Sequence, residues 1–230
     1  MEGRDVACID LPGAYLHAVN EDEVIMKMEG KLAELMVNVE PKLYRKYVTT
    51  GPKGKPILYV KLYKALYGCL KSALLFYKKL VKDLTEYGFE INPYDPCVAN
   101  KVINGHQMTV VWHVDDLKIS HKNPWEITKF AKYLAKIYGE NITVHRGKVH
   151  DYLGMTLDYS EPGKVKVLMV DYLKKILQDF PEELGAPAPT PAADHLFKVR
   201  PENERKLLSE DRAIVFHNFV ARLMFTSARP

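Results

Sequence analysis

The chain of 230 residues lacks the features of several large classes of protein. It has only three cysteines, Cys8, Cys69 and Cys97, and this odd, widely spaced set fits neither a disulfide framework nor a zinc knuckle. No apolar run reaches the length of about 18 residues that a membrane-spanning helix needs. The opening residues MEGRDVACID lack the apolar stretch of a secretory signal. We therefore expect a cytoplasmic protein that has no membrane partner.

Acidic residues are also missing from one long window, between Pro41 and Lys82. This window contains eleven lysines and arginines and six tyrosines, whereas the remaining residues include 22 basic and 29 acidic side chains. Lysines interleaved with aromatic rings suit phosphate neutralisation combined with base or sugar stacking. A solvated lysine-rich face above core tyrosines would produce the same pattern. Both interpretations stay open on this feature alone.

Hydrophobic periodicity predicts short strands mixed with helices. Strands are expected over 6–10, 24–28, 57–62, 97–103, 108–114 and 117–120, and Asn104-Gly105 predicts a tight hairpin turn. Apolar residues at three- and four-residue steps predict a helix from Leu70 that stops at Gly88, and Asn123-Pro124 predicts the start of another. A second hairpin is expected over 152–170. Hairpins mixed with helices indicate an α+β fold rather than a regular βαβ series.

The segment VVWHVDDLKIS contains the strongest chemical signal. Asp115 and Asp116 interrupt two apolar strand-like runs, where burial and strand propensity both disfavour aspartate. Asp10 ends another apolar strand. Three such carboxylates would repel one another unless metal ions neutralised them, and this arrangement suits two-metal phosphoryl or nucleotidyl transfer. A surface Asx turn explains an Asp-Asp pair equally simply, and an unrelated metal-dependent phosphohydrolase or a structural module would also be compatible.

Four blocks occur in order along the chain: IDLPGAYLHA (9–18), KALYGCLKSALLFYKKL (64–80), HVDDLKIS (113–120) and DYLGMTLDY (151–159). Together they resemble the reverse-transcriptase domain of copia-type LTR retrotransposon polyproteins. The resemblance implies an α+β fold of the right-hand polymerase type, in which helices pack on one face of an antiparallel palm sheet, with partial fingers and a helical thumb. It also implies an RNA-directed DNA polymerase, which transfers a nucleotide from a dNTP to the 3′-hydroxyl of a primer.

The resemblance assigns roles to individual residues. It implies that two Mg²⁺ (or Mn²⁺) ions are held by the catalytic aspartates and one backbone carbonyl: Asp10, Leu11, Asp115 and Asp116, of which Asp115 is the preferred direct ligand. Nucleotide contacts are implied for Tyr15, Gly68 and Lys71, and the ring of Tyr15 would exclude a 2′-hydroxyl. Contacts to the primer and template are implied for His113, Tyr152, Leu153, Gly154, Lys61 and Lys64.

The resemblance also implies a domain order. Palm is expected over 1–18 and 67–160, partial fingers over 19–66, the start of the thumb over 161–180, a Pro/Ala linker over 181–200 and a C-terminal helix over 201–230, truncated before RNase H. Expected partners are an RNA template, a DNA primer and a dNTP. In the family, integrase and RNase H belong to the same polyprotein and the setting is a virus-like particle.

The chain departs from the family pattern at several points. Lys71-Ser72-Ala73 replaces the usual Q-A-P, and His113 replaces the usual tyrosine. Asp10 lies close to Met1, so the fingers strands that would precede it are expected to be missing. These departures support an alternative, in which the chain is a catalytically inactive remnant that retains at most nucleic-acid binding.

Overall fold

The computed structural model describes residues 3–183, 185–186, 189–190, 198–199 and 201–227. The chain forms two compact units, Met1–Leu153 and Gly154–Pro230. None of the helices within the described residues is long and apolar enough to cross a membrane. Most of the expected Pro/Ala linker falls outside the described residues.

The first unit contains strands and helices that alternate irregularly along the chain. The strands are β1 (Asp5–Asp10), β2 (Val19–Glu29), β3 (Thr49–Thr50), β4 (Pro56–Lys64), β5 (Glu90–Ile91), β6 (Val98–Ile103), β7 (His106–His113), β8 (Asp116–His121), β9 (Thr143–Arg146) and β10 (Val149–Tyr152). The helices are α1 (Lys31–Val39), α2 (Pro41–Tyr44), α3 (Ser72–Glu86) and α4 (Pro124–Tyr138), and short 3₁₀ turns span Ala14–His17, Arg45–Tyr47 and Pro52–Gly54. The expected α+β class is confirmed.

A six-stranded sheet in the order β5-β6-β7-β8-β1-β9 is the centre of this unit, and its neighbouring strands are antiparallel. Because side chains alternate across a strand, one face of the sheet is apolar and the other is mixed. The apolar face, which includes Ile9, Val110 and Ile119, packs on Phe76 of α3 and Phe130 of α4 in one buried cluster. Both helices therefore lie on one face, and the opposite face presents polar side chains.

A second, smaller sheet has the order β2-β4-β3. Met28 of β2 and Leu58 of β4 pack with Ala33 of α1 in a small buried cluster of their own. This sheet and α1 occupy the range that the resemblance assigns to partial fingers, and that assignment stays a prediction.

Local signals in the sequence explain several boundaries. The Asn104-Gly105 turn joins β6 to β7, and both residues have positive φ, as this type of hairpin turn requires. The side chain of Asn123 accepts a hydrogen bond of 3.0 Å from the Trp125 N–H and so caps α4, whose first residue is Pro124. Helix α3 ends before Gly88, which has a φ of 93°. These predictions from the sequence are confirmed.

The second unit contains strands β11 (Met155–Asp158) and β12 (Lys166–Leu168), and helices α5 (Val170–Asp179) and α6 (Glu210–Ser227). A 3₁₀ turn spans Glu202–Glu204. Strands β11 and β12 pair antiparallel, as the sequence predicted. An aromatic contact joins the two helices, since the ring centroids of Tyr172 and Phe225 lie 5.2 Å apart.

Candidate active site

Asp10 and Asp116 face each other on two neighbouring strands of the six-stranded sheet, at the point where β1 ends and β8 begins. They are register partners, Asp10 as the last residue of β1 and Asp116 as the first residue of β8. Directly opposed residues on antiparallel strands project to the same side, with Cβ atoms about 5 Å apart. The core side chains Ile9 and Leu117 project to the helical side. The two carboxylates therefore lie together on the polar face.

Asp115 occupies the turn between β7 and β8, next to Val114. Val114 has a φ of 56°, which is unusual for a β-branched residue and concentrates strain in a two-residue turn. The N–H of Leu11 donates a hydrogen bond of 3.1 Å to the Asp115 carbonyl. This hydrogen bond links the β7–β8 turn to Leu11, the residue after Asp10. Backbone pairing therefore holds the end of β1, which carries Asp10, beside the turn and the first residue of β8, which carry Asp115 and Asp116.

The carboxylate of Asp116 has a perturbed pKa. Burial is the largest cause and raises the pKa. The neighbouring negative charges of Asp115 and Asp10 raise the pKa further, whereas His113 lowers it. His113 is the register partner of Asp116 on the β7 side and is exposed. The three aspartates therefore interact electrostatically, and the repulsion between them opposes ionisation of Asp116.

Two tyrosine rings lie beside these carboxylates. The ring centroids of Tyr15 and Tyr67 are 4.3 Å apart, and Tyr15 also meets the edge of Phe76 at 6.3 Å. The hydroxyl of Tyr67 donates a long hydrogen bond of 3.4 Å to Asp115 Oδ2. Burial raises the pKa of Tyr67, and the negative charge of Asp115 is the next largest cause of the increase. Tyr67 thus contacts both the Tyr15 ring and the Asp115 carboxylate, and the nucleotide contact of Tyr15 stays a prediction.

A cavity of about 320 Å³ opens beside Asp10 and Asp116. Its other lining residues come from β1, β8, β9, β10 and their flanks: Cys8, Ile9, Leu117, Thr143, His145, Asp151 and Tyr152. Tyr152 is buried, and its hydroxyl lies 3.5 Å from the carbonyl of Val111. Burial raises the pKa of Cys8 to about 11, so its thiol stays protonated at neutral pH. Tyr152, predicted to contact the primer, therefore lies beside the two facing carboxylates.

His113, the last residue of β7 and the register partner of Asp116, lines a different cavity. Together with Val114 it lines a smaller cavity of about 170 Å³ whose remaining walls are mainly aromatic: Ala73, Phe76, Tyr77, Cys97 and Trp112. The predicted template or primer contact of His113 is therefore compatible with its exposed position.

Three of the lysines in the acid-free window form ion pairs with an acidic run at the start of β2. Lys71 pairs with Asp22, Lys78 pairs with Glu21 at 3.3 Å, and Lys61 pairs with Glu23 at 3.5 Å. Lys64 instead donates to the His17 carbonyl at 3.4 Å. The window therefore presents less free positive charge than its composition suggests, and Lys71, predicted to contact the nucleotide, is paired with a carboxylate.

Three of the remaining predicted site residues have a left-handed backbone conformation. Gly68 has a φ of 93° in the segment between β4 and α3, and Leu153 and Gly154 have φ values of 51° and 74°. A Cβ on Gly154 would meet Phe225 at 3.6 Å, an ordinary contact distance, so its positive φ rather than lack of space favours glycine. Leu11 is completely buried.

The donor set suits a hard divalent cation. Carboxylate and carbonyl oxygens are the ligands that Mg²⁺ prefers, and Asp10, Asp115, Asp116 and the Leu11 carbonyl supply only such atoms. Among the described residues, however, no three acidic, histidine or cysteine side chains are placed close enough to hold an ion. The structure brings Asp10 and Asp116 together and connects Asp115 to them through the backbone, so convergence of all three carboxylates stays a prediction.

Three features of the site were not predicted from the sequence. Tyr67 belongs to the KALYG block, and that motif could have drawn attention to it as the residue before Gly68. The strain at Val114 has no sequence signal, because valine is a typical strand residue. The ion pairs of Glu21, Asp22 and Glu23 depend on the packing of β2 beside β4 and α3, which a charge count along the chain cannot show.

Comparison with known proteins identifies the family. Residues 5–192 match the family model described as reverse transcriptase (RNA-dependent DNA polymerase), so the chain belongs to this family. A relative is the retrovirus-related Pol polyprotein from transposon TNT 1-94 of Nicotiana tabacum, 24% identical over 194 residues, which are 84% of this chain and 13% of the relative. The chain thus spans only a small part of that polyprotein. The resemblance to copia-type polyproteins is confirmed.

Solved structures of telomerases are among the structural neighbours. Apo telomerase from Candida tropicalis has a TM-score of 0.40 at 11% identity, over 73% of this chain and 33% of that one. Telomerase from Candida albicans, in complex with the TWJ fragment of telomeric RNA, has a TM-score of 0.39 at 9% identity, over 77% of this chain and 35% of that one.

Proposed function

We propose that the chain is the polymerase portion of a copia-type element and catalyses RNA-directed DNA synthesis. The observation that carries the proposal is the facing pair Asp10 and Asp116, with Asp115 in the adjoining turn, in a chain of the reverse-transcriptase family. Carboxylates concentrated at one sheet edge are costly unless cations offset their charge. The raised pKa of Asp116 reflects excess negative charge at the site, which a bound cation would neutralise.

The reaction is attack of a primer 3′-hydroxyl on the α-phosphate of a dNTP, with departure of pyrophosphate. Mg²⁺ or Mn²⁺ ions held by Asp10, Asp115, Asp116 and the Leu11 carbonyl would supply charge neutralisation at the reacting phosphate. The protein itself contributes mainly orientation of the reactants. Tyr15, beside the aspartates, would exclude a 2′-hydroxyl by steric clash.

The other predicted residues would bind the reactants. Lys71 and Gly68 would contact the nucleotide, and Lys71 would exchange its partner Asp22 for a phosphate. His113 and Tyr152, which line two different cavities, would contact the template-primer. Leu153, Gly154, Lys61 and Lys64 complete the proposed surface for an RNA template and a DNA primer.

A second candidate is a catalytically inactive remnant that only binds nucleic acid. The observation in its favour is that Lys61 and Lys71 of the proposed binding surface, and Lys78 of the same acid-free window, are already paired with the acidic run 21–23. Such pairs reduce the charge that is available to phosphates.

Extension of a labelled DNA primer on an RNA template distinguishes the two candidates. We expect Mg²⁺-dependent incorporation by the wild-type chain and its loss in Asp10→Asn and Asp115→Asn, because each change removes a negative charge and one of the two carboxylate oxygens that would bind the cations. Asp171→Asn, a change in an exposed residue of α5, is the matched control and should keep wild-type incorporation. Salt-dependent binding of template-primer without any extension would instead support the inactive remnant. Phosphoester hydrolysis without primer or template would favour an unrelated hydrolase.

A further inference from the structure

The Tyr67 side chain contacts both an aspartate of the candidate site and the aromatic residue Tyr15. Its hydroxyl donates to Asp115 Oδ2, and its ring stacks at 4.3 Å on the ring of Tyr15. It therefore connects the residue proposed to select the sugar with a residue proposed to bind the metal. Neither contact follows from the catalytic roles assigned above.

The backbone just before Tyr67 is fixed by hydrogen bonds. The N–H of Ala65 donates to the Ala18 carbonyl at 2.9 Å. The buried hydroxyl of Ser72, the first residue of α3, accepts from the Leu66 N–H at 3.2 Å and donates to the Leu66 carbonyl at 2.7 Å. This segment is thus anchored to the 3₁₀ turn of Tyr15 and to the start of α3. The position of Tyr67 is built into the fold although half of its surface, 52%, is exposed.

The ring of Tyr15 is partly buried against the core and contacts two other aromatic rings. Phe76 forms an edge contact with it at 6.3 Å, and the centroid of the Tyr67 ring lies 4.3 Å away. Removing the ring of Tyr67 would therefore take away one of these two packing partners without changing any atom of Tyr15 itself.

The hydroxyl of Tyr67 has a separate role. A carboxylate that binds a metal is commonly oriented by a hydrogen bond from a neighbouring group, and loss of such a bond weakens metal binding about 10- to 100-fold. Asp115 lies in the turn beside Val114, and its Oδ2 accepts the hydrogen bond of 3.4 Å from the Tyr67 hydroxyl.

We propose that Tyr67 is a positioning residue with two separable functions: its ring holds Tyr15 in the orientation that rejects ribonucleotides, and its hydroxyl orients Asp115 toward a divalent cation. The proposal rests on the function proposed above, and it predicts different results for two substitutions at the same position.

Tyr67→Phe and Tyr67→Ala separate the two functions. The first keeps the ring and removes the hydroxyl, so Mn²⁺ binding, measured by electron paramagnetic resonance without nucleic acid, should weaken about tenfold while the preference for dNTP over rNTP is kept. The second removes both groups, so Mn²⁺ binding should weaken similarly and the dNTP preference should fall by about tenfold or more. Ser72→Ala releases the segment while Tyr67 is intact, and it should shift both measurements in the same direction.

Tyr94 provides the matched control. It is an exposed tyrosine between β5 and β6, outside the proposed binding surface, and its replacement by phenylalanine or alanine should change neither measurement. Unchanged Mn²⁺ affinity in Tyr67→Phe would overturn the role of the hydroxyl, and unchanged dNTP preference in Tyr67→Ala would overturn that of the ring. If wild-type protein binds Mn²⁺ as expected but incorporates no nucleotide, the proposed function fails while the Mn²⁺ measurement still tests the hydroxyl.

Discussion

Asp10 and Asp116, far apart in the sequence, are direct register partners on β1 and β8. His113 is the partner of Asp116 on the opposite side, and Thr143 is the partner of Asp10. Asp10, Asp116 and Thr143 of this cross-strand row line the 320 Å³ cavity. The proposed chemistry depends on this juxtaposition, because a cation that offsets the repulsion between the facing carboxylates would be held there.

Asp116→Asn should stabilise the fold while it removes activity. Burial and the charges of Asp115 and Asp10 raise the pKa of Asp116 in the folded state, so the ionised form opposes folding. Asparagine removes that charge and keeps the shape of the side chain. We expect a higher free energy of unfolding than wild type at pH 7, measured by urea denaturation.

The same substitution has a defined pH dependence. When folding raises the pKa of a carboxyl group, the protein loses stability as pH rises from the pKa of the unfolded state, near 3.8, to the pKa of the folded state. The loss persists at higher pH. The advantage of Asp116→Asn should therefore be present at pH 7 and disappear toward pH 3.5. Equal stability of the two proteins at every pH would contradict the placement of Asp116 beside the other carboxylates.

Tyr138→Phe should destabilise the first unit. Asp83 is a buried carboxylate that accepts a hydrogen bond from the Tyr138 hydroxyl and pairs with Lys79 at 2.9 Å. Removing the hydroxyl leaves this charge with one donor fewer, a loss of about 1–3 kcal/mol in the free energy of unfolding. Tyr133→Phe is the control, because the hydroxyl of Tyr133 donates to the Asp83 carbonyl and is partly exposed. A smaller effect of Tyr138→Phe than of Tyr133→Phe would contradict the described network.

Neutralising the acidic run of β2 should strengthen nucleic-acid binding. In the triple variant Glu21→Gln, Asp22→Asn, Glu23→Gln, the three paired lysines become available to phosphates. Binding of a fluorescent template-primer should tighten, and the slope of log K against log salt should steepen by up to about 3.

A second triple variant controls for a general charge effect. Asp171→Asn, Glu202→Gln and Glu204→Gln remove the same charge from exposed acids of the second unit, and Asp171 and Glu202 pair with basic residues three positions further along the chain. It should give a much smaller increase in slope. Equal increases in both triple variants would show that the lysines of the window do not form the binding surface.

The sequence predicted most strands and helices correctly because local signals define them. Asn104-Gly105, Asn123-Pro124 and Gly88 act within a few residues, and the apolar periodicity of α3 depends only on spacing. The longer extent of β2, which begins at Val19, was not predicted, since its first residues Asn20 to Glu23 are polar and depleted in strands.

The site was predicted less completely than the fold. The three aspartates were found because strand-end carboxylates are costly and therefore conspicuous in a sequence. Tyr67 and the pairing of Lys71 with Asp22 were missed because they depend on how the segment between β4 and α3 folds back over the start of β2. Tertiary contacts of this kind carry no periodicity.

Single-nucleotide extension of a DNA primer on a defined RNA template tests the central claim most directly. Each dNTP is supplied alone with Mg²⁺, and product is resolved by length for wild-type protein and Asp116→Asn. We predict that wild-type protein adds only the nucleotide complementary to the template base and that Asp116→Asn adds none, although both bind the template-primer. Binding without addition by the wild type, or equal addition by both proteins, would contradict the claim that the facing aspartates of β1 and β8 catalyse templated synthesis.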